Sequence, residues 1–314
     1  MNYTKYLKYE DIALVPNYST CESRSDNDTS CKLGPMTFKL PVVPANMKSV
    51  IDEDLCRQLS ESGYFYIMHR FGIDNFDFVK RANEENWKCI SISIGANWHK
   101  ENDLLFKIHS NNLRVDYITI DIAHGHSILM YRMIEKVREL FPEVFIIAGN
   151  AATREAVNDI ATLGADCVKV GIGQGSPCTT KDKTGFTLPM FSCVKLCSGV
   201  VISDFLELAN ASEKNNFRIS EEFDINLPVP IIADGGVKCN GDIAKALVAG
   251  ASMVMAGSLF AACSDSSAKT DSNGNKLYYG SASIYNKTSK KNIEGKLTDI
   301  ESNKMKFEDK LLEI

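Results

Sequence analysis

The stretch Ala165-Asp-Cys-Val-Lys-Val-Gly-Ile-Gly-Gln-Gly-Ser-Pro-Cys-Thr-Thr-Lys181 decides the fold. It begins as a short apolar run and passes directly into a loop with three closely spaced glycines, a cysteine and two threonines. Enzymes built on parallel sheets carry their chemistry on such loops, at the carboxyl ends of buried strands. Because bare backbone lets a ligand approach closely, we interpret Cys178 as a candidate nucleophile rather than as a small apolar filler.

Similar apolar runs, bounded by turn residues, recur along the chain. Each is continuous rather than alternating, as expected for strands buried on both faces. Helix-like stretches lie between them, such as Ile128–Phe141 and Arg154–Gly164, the latter with Thr153 as a candidate N-cap. The pattern predicts an α/β fold, a (β/α)8 TIM barrel forming a single domain over residues 1–314. The eight candidate strands are Pro41–Met47, Tyr64–His69, Cys89–Gly95, Tyr117–Ala123, Val144–Asn150, Asp166–Ile172, Pro230–Gly235 and Ser252–Ser258.

Composition places the chain among ordinary globular proteins. Its 314 residues are 44% hydrophobic and carry a formal net charge of −5. That charge gives no electrostatic basis for binding nucleic acid or an anionic membrane, and no apolar run approaches the roughly 20 residues that span a bilayer. The ten cysteines are scattered rather than spaced as a disulfide framework, so we expect reduced thiols and a cytoplasmic protein.

The carboxyl ends of the predicted strands are rich in chemically active residues. The loops that follow strands 7 and 8 of such barrels often bind phosphate, and Asp234-Gly-Gly236 and Gly257-Ser258 occupy those places. We therefore expect a phosphorylated substrate, with Asp234 accepting hydrogen bonds from sugar hydroxyls. His124 and His126 follow strand 4, but no third metal ligand is evident, so we interpret them as a hydrogen-bonded pair.

These segments together resemble the IMP dehydrogenase/GMP reductase family, and most closely its bacterial-type GMP reductase branch. The resemblance covers roughly residues 8 to 296, with the motifs in family order. The residues that carry it are Pro41-Val-Val-Pro-Ala-Asn-Met47, Tyr64-Phe-Tyr-Ile-Met-His-Arg-Phe71, Asp121-Ile-Ala-His-Gly-His126, Ile147-Ala-Gly-Asn150, Gly171–Thr180, Ile232-Ala-Asp-Gly-Gly236 and Tyr279-Gly-Ser-Ala-Ser283.

The resemblance implies NADPH-dependent reductive deamination of GMP to IMP and ammonia. It implies that Cys178 attacks C2 of the purine and forms a covalent thioimidate, which is nucleophilic catalysis. It assigns protonation of the leaving amine to Thr180 and to Glu294 of the Glu294-Gly-Lys296 motif. It also implies a homotetramer.

The resemblance further implies three sets of binding residues. GMP would contact Asp234, Gly235, Gly236, Gly257, Ser258, Gly280, Ser281 and Ala282. NADPH would contact Ser23, Arg24, Arg70, Asp121, Ile122, Ala123 and Gly173. A monovalent cation, by analogy potassium, would lie against backbone carbonyls of Gly173, Gly175 and Cys178, with Lys181 beside them.

Two alternatives stay open. An IMP dehydrogenase shares the cysteine loop and the thioimidate, but it uses an Arg-Tyr pair to activate water, and this chain has no such dipeptide. The other alternative is a barrel that binds purine nucleotide with impaired turnover. Departures from the family pattern motivate it: Lys48 after Ala-Asn-Met, a long connection at 198–227 before strand 7, and the end of the chain soon after the segment 264–296, which we expect to be a flap carrying Glu294.

Overall fold

A computed structural model describes residues 4–201, 228–280, 283 and 296–314. Seven parallel strands form one curled sheet in the spatial order β3-β9-β8-β7-β6-β5-β4. Their bounds are β3 Val42–Pro44, β4 Ser91–Ile94, β5 Tyr117–Asp121, β6 Phe145–Ala151, β7 Cys167–Val170, β8 Ile231–Asp234 and β9 Met253–Ala256. Most of their residues are fully buried, which explains why the strand sequences are continuously apolar. The predicted α/β barrel architecture is confirmed.

The second predicted strand, Tyr64–His69, does not form a regular strand, so this prediction is wrong. Only Met68 forms a parallel bridge, with Ile92 of β4. A side chain takes the backbone hydrogen bonds that a further strand would have made: the Tyr66 hydroxyl donates to Cys89 O (2.8 Å) and accepts from Ser91 N. The segment nevertheless occupies the place of the eighth strand beside β4, and at its start Lys39 N donates to Gly63 O.

Helices follow most of the barrel strands and cover the outside of the sheet. The larger ones are α1 Glu53–Ser62, α2 Asn75–Glu84, α3 Trp98–Ser110, α4 Ile128–Leu140, α5 Arg154–Thr162, α7 Met190–Cys197 and α8 Asn240–Val248, and the shorter ones are α6 Thr180–Thr184, α9 Ser258–Ala261 and α10 Phe307–Glu313. The two helices predicted from periodicity are α4 and α5. Thr153 caps α5 as predicted, since its side chain accepts from Ala156 N.

Two antiparallel strand pairs lie outside the barrel sheet. The hairpin of β1 Cys31–Leu33 and β2 Met36–Phe38 precedes the barrel, and the Tyr117 hydroxyl of β5 donates to Leu33 O (2.7 Å). The second pair joins β10 Lys276–Tyr279, which lies within the predicted flap, to β11 Leu297–Ile300, which directly follows it. Neither pair was predicted from the sequence.

Short 3-10 turns at Tyr9–Asp11 and Arg24–Asp26 lie near the N-terminus. In the described part of the chain, no helix has the length and apolar character needed to span a membrane. Most of the predicted connection 198–227 lies outside the described residues. Its flanks meet, because Val229 N donates to Val200 O (2.7 Å).

Candidate active site

The cysteine loop leaves the end of β7 and folds back on itself before α6. Cys178 N donates to Gly175 O (3.0 Å), which closes a tight turn. The half-buried Cys178 thiol donates to the hydroxyl of Thr180, with an Sγ–Oγ1 distance of 3.3 Å. Thr180 is the first residue of α6. The structure therefore brings together two of the three residues predicted to do the chemistry.

The loop after β8 packs against the cysteine loop through backbone atoms. A Cβ on Gly235 would lie 3.0 Å from Gly175 N and 3.2 Å from Gln174 C, and Gly235 has a φ of +107°. Only glycine fits such an approach without strain. Gly235, one of the predicted ribose and phosphate residues, is thus in direct contact with the loop that carries Cys178.

Tyr278 of β10 lies beside the same loops and was missed by the sequence interpretation. A Cβ on Gly257 would clash with the Tyr278 hydroxyl, so that glycine gives the tyrosine its space. Burial raises the pKa of Tyr278, and the nearby Asp234 and Cys178 add to the shift. The phenol is therefore a neutral hydroxyl near both functional loops. Ser258 follows Gly257 as the first residue of α9.

Four polar side chains from four strands form a charged network at the rim. The Lys169 ammonium of β7 is 2.9 Å from Asp121 Oδ1 and 2.6 Å from Asp234 Oδ2. Asn150 of β6 donates to Asp234 Oδ2 (2.8 Å) and to Gly171 O (2.6 Å). Lys169 was missed, although a lysine inside a buried apolar strand was a signal that could have revealed it.

The predicted cofactor residues on β5 lie at the other end of this network. Asn46 Nδ2 donates to Asp121 Oδ2 (3.2 Å), and Arg70 Nη2 donates to Asp121 O (3.3 Å). Ile122 pairs through its backbone with Gly149 O, and Ala123 is exposed. Among the described residues, the buried Arg70 Nε has no hydrogen-bond partner. An acceptor on a bound ligand would satisfy it.

Two described residues of the predicted flap, Gly280 and Lys296, contact the cysteine loop. Gly280 is close enough to Pro177 that a Cβ on it would lie 3.7 Å from the proline ring. Lys296 N donates to Pro177 O (3.1 Å), and Lys296 Nζ forms an ion pair with Asp182 of α6 (2.9 Å). Glu294, Ser281 and Ala282 lie outside the described residues, but residues immediately beside them reach the loop of Cys178.

The predicted cation residues share this one loop. Gly173 has a φ of +74°, and a Cβ on it would lie 3.1 Å from Lys181 N. Gly175 O already accepts a hydrogen bond from the Cys178 amide, but a carbonyl oxygen has a second lone pair that a cation could use. Among the described residues, no three His, Cys, Asp or Glu side chains form a group that could hold a metal ion.

Two parts of the prediction are not brought to the site. Ser23 bonds locally, with Ser25 Oγ (2.7 Å) and Asp26 (2.9 Å), and the side chain of Arg24 lies outside the described part of the chain. The predicted pairing of His124 with His126 is wrong. His126 Nε2 instead lies 2.9 Å from Asp159 Oδ2 of α5, so the loop after β5 is joined to that helix.

Comparison with known proteins agrees with the geometry. Residues 6–309 match the model of the IMP dehydrogenase / GMP reductase domain. A GMP reductase of Ligilactobacillus salivarius is 46% identical over 292 residues, which is 92% of this chain and 82% of that protein. A GMP reductase of Staphylococcus epidermidis is 45% identical, covering 95% and 85% of the two chains. One from Helicobacter pylori strain G27 is 44% identical, covering 99% and 88%. The chain belongs to the IMP dehydrogenase/GMP reductase family.

Proposed function

We propose that this protein is a GMP reductase, which converts GMP to IMP and ammonia with NADPH. The observation that carries the proposal is the Cys178 thiol, 3.3 Å from the Thr180 hydroxyl, on a loop packed against Asp234-Gly-Gly236. A nucleophile, a proton-relaying hydroxyl and a ribose-binding carboxylate then face one substrate. The similarity to GMP reductases over most of the chain supports this choice of substrate.

The substrate is held by the loops after β8 and β9 and by the flap. Asp234 accepts hydrogen bonds from the ribose hydroxyls, and the backbone of Gly235, Gly236, Gly257 and Ser258 binds the phosphate. The turn at Gly280, Ser281 and Ala282 borders the purine. The approach of Gly280 to Pro177 supports this assignment, since Pro177 directly precedes the proposed nucleophile.

The reaction divides into two steps at one carbon. The Cys178 sulfur attacks C2 of guanine, a C–S bond forms, and the exocyclic C–N bond breaks to release ammonia. Thr180 and Glu294 deliver the proton that the leaving amine needs. When bound, NADPH supplies the hydride that reduces C2. The C–S bond then breaks, and the sulfur leaves with its electron pair.

The rim residues fit the cofactor and the cation that the family uses. The unpartnered Nε of Arg70 is suited to an oxygen of the cofactor, because guanidinium groups pair well with phosphate and amide oxygens. Asp121, Ile122, Ala123 and Gly173 would hold the nicotinamide side, and Ser23 and Arg24 would add contacts. Backbone carbonyls of Gly173, Gly175 and Cys178, beside Lys181, offer the donors that potassium prefers.

We further propose a homotetramer that works in the cytoplasm. Several large apolar side chains are exposed and fit contacts with other subunits: Val15 is 80% exposed, Tyr18 94% and Phe186 78%. All ten cysteines are free thiols, which suits a reducing compartment.

Absorbance at the reduced-nicotinamide band tests the function directly. The purified protein should oxidise NADPH when GMP is added, and the signal should not appear with IMP. Reduction of NADP or NAD by IMP would instead identify a dehydrogenase, which shares the thioimidate. Binding of GMP without any change in absorbance would favour the barrel with impaired turnover.

Substitution of the nucleophile is the matching prediction. Cys178→Ser should lower the rate of GMP-dependent NADPH oxidation by at least about a thousandfold, because a hydroxyl is not ionised at neutral pH. GMP binding measured by calorimetry should change little. Residual turnover within about tenfold of the parent would exclude a covalent mechanism.

A further inference from the structure

Lys169 is a charged side chain buried in the inner wall of the barrel. It lies in the middle of β7, between valines, and is only 2% exposed. Lysine is almost never this buried unless its charge is paired. The proposed reaction gives it no role in contact with the substrate, so its place between two site residues needs another explanation.

The ammonium uses all three of its protons at the rim. They go to Asp121 Oδ1 (2.9 Å), Asp234 Oδ2 (2.6 Å) and Asn150 Oδ1 (2.5 Å). These three acceptors come from β5, β8 and β6. One lysine therefore joins the carboxylate assigned to the cofactor side with the carboxylate assigned to the ribose.

The two carboxylates share this cation. Burial alone would raise the pKa of Asp121, but Lys169, with help from Arg70 and Asn46, lowers it below its usual value. Burial alone would lower the pKa of Lys169, but Asp121 and Asp234 raise it. The three charges thus stabilise one another, and a change in one alters the field at the other two.

The bonding of Asp234 is one-sided. Lys169 and Asn150 both donate to Oδ2. Within the described residues Oδ1 accepts no hydrogen bond, and the side chain is 23% exposed. The network therefore fixes one oxygen of the carboxylate and leaves the other for a ligand hydroxyl.

We propose, resting on the function proposed above, that Lys169 is a positioning residue that couples Asp234 to Asp121, so that the charge on the cofactor side sets the strength of ribose binding. Lys169 need not touch either ligand. Its ammonium orients Asp234, and Asp121 competes for the same ammonium.

Other titratable groups face this network. The pKa of Tyr278 and that of Tyr9 are both raised, chiefly by burial and to a smaller degree by Asp234, so both hydroxyls stay neutral in the acid and neutral range. Arg70 lies beside Asp121 and donates to its backbone oxygen.

Calorimetric titration of GMP into the full-length protein, without cofactor and at one neutral pH, tests the coupling. Lys169→Met removes the ammonium that fixes Asp234 Oδ2, so GMP affinity should fall at least about tenfold. Asp121→Asn leaves Lys169 to Asp234, whose carboxylate is then held more firmly, so GMP affinity should rise by about threefold. General damage to the fold would lower the affinity and would not raise it.

Two controls separate positioning from structure. Lys169→Arg keeps the charge and should lower GMP affinity less than Lys169→Met does. Lys310→Met removes another buried lysine, 7% exposed and paired with Glu313 (2.6 Å), and should leave GMP affinity unchanged. An unchanged GMP affinity in Lys169→Met, or one that does not rise in Asp121→Asn, would overturn the proposal.

If Lys169→Met does not fold, Asp121→Asn decides alone, since it removes no buried cation. The result is separable from the proposed function. A parent protein that binds GMP without oxidising NADPH contradicts that function and leaves the titration valid. If the parent does oxidise NADPH but the variants bind GMP with unchanged affinity, only the coupling is contradicted.

Discussion

His69 shows how a single rim residue depends on its surroundings. It is 3% exposed, and burial, together with the charge of Lys48, lowers its pKa to about 4. Its Nδ1 accepts a hydrogen bond from Phe71 N (3.2 Å), which requires the neutral ring. The fold therefore holds an uncharged histidine beside Arg70.

This histidine should make stability depend on pH. The pKa of an unfolded histidine is about 6.5. The unfolded chain therefore binds the proton more readily, and the stabilisation is complete above pH 6.5 and lost as pH falls towards 4. We expect His69→Asn, whose Oδ1 can still accept from Phe71 N, to remove up to about 3 kcal/mol of this pH dependence. Urea unfolding of both proteins at several pH values measures it, and parallel curves would contradict the assignment.

Single residues differ in how well the sequence predicts them. Cys178 and Asp234 follow apolar runs, where the end of a strand and a glycine loop mark a functional position. Lys169 lies inside such a run, and periodicity cannot show that its ammonium meets two carboxylates from other strands. His126 was given the wrong partner because Asp159 is remote in sequence and near only in the fold.

At the scale of elements, the site depends on loops that pack backbone to backbone. The loop after β8 touches the loop after β7 at Gly235, and the flap touches it at Gly280. A side chain at Gly235 would push the two loops apart, whereas a Cβ at Gly280 would lie in ordinary contact with Pro177, 3.7 Å away. The proposed nucleophile, Cys178, is therefore positioned by neighbouring elements as well as by its own loop.

Gly235→Ala tests this packing. The added methyl would press on Gly175 N at 3.0 Å, at a φ unfavourable for alanine, so the cysteine loop must move. We expect GMP-dependent turnover to fall at least about tenfold, since small displacements of reacting groups are costly. Gly274→Ala is the matched control: its φ is +85°, but nothing lies within 4 Å of the added carbon. It should lower thermal stability slightly and leave turnover intact. Equal turnover in the two variants would contradict the packing role.

Elements were predictable where burial alone sets the pattern. The barrel strands from β3 to β9 and helices α4 and α5 follow from continuous or 3.6-residue periodicity. Residues 64–69 have the composition of a strand, but the Tyr66 hydroxyl, and not backbone, bonds to Cys89 O and Ser91 N. The strands of the hairpin β1–β2 and of the pair β10–β11 mix polar with apolar residues, so they lack the continuous apolar run that marks a barrel strand.

At the scale of the whole molecule, the barrel gathers residues from the full length of the chain. Asn46, Asp121, Lys169 and Asp234 form one network, and Lys296 reaches the cysteine loop. The parallel topology brings every strand end to the same rim, and this is why strand-end residues could be predicted to meet. The antiparallel pairing that returns the flap to that rim had no comparable sequence signal.

The central claim is that the Cys178 sulfur bonds to the purine during turnover. Mass spectrometry of protein quenched with acid while it turns over GMP and NADPH tests this most directly. We expect the mass of a purine nucleotide on the peptide that contains Cys178, and on no peptide of Cys178→Ser. A parent protein that turns over at full rate but carries no adduct on Cys178, or carries it on another cysteine, would contradict the account.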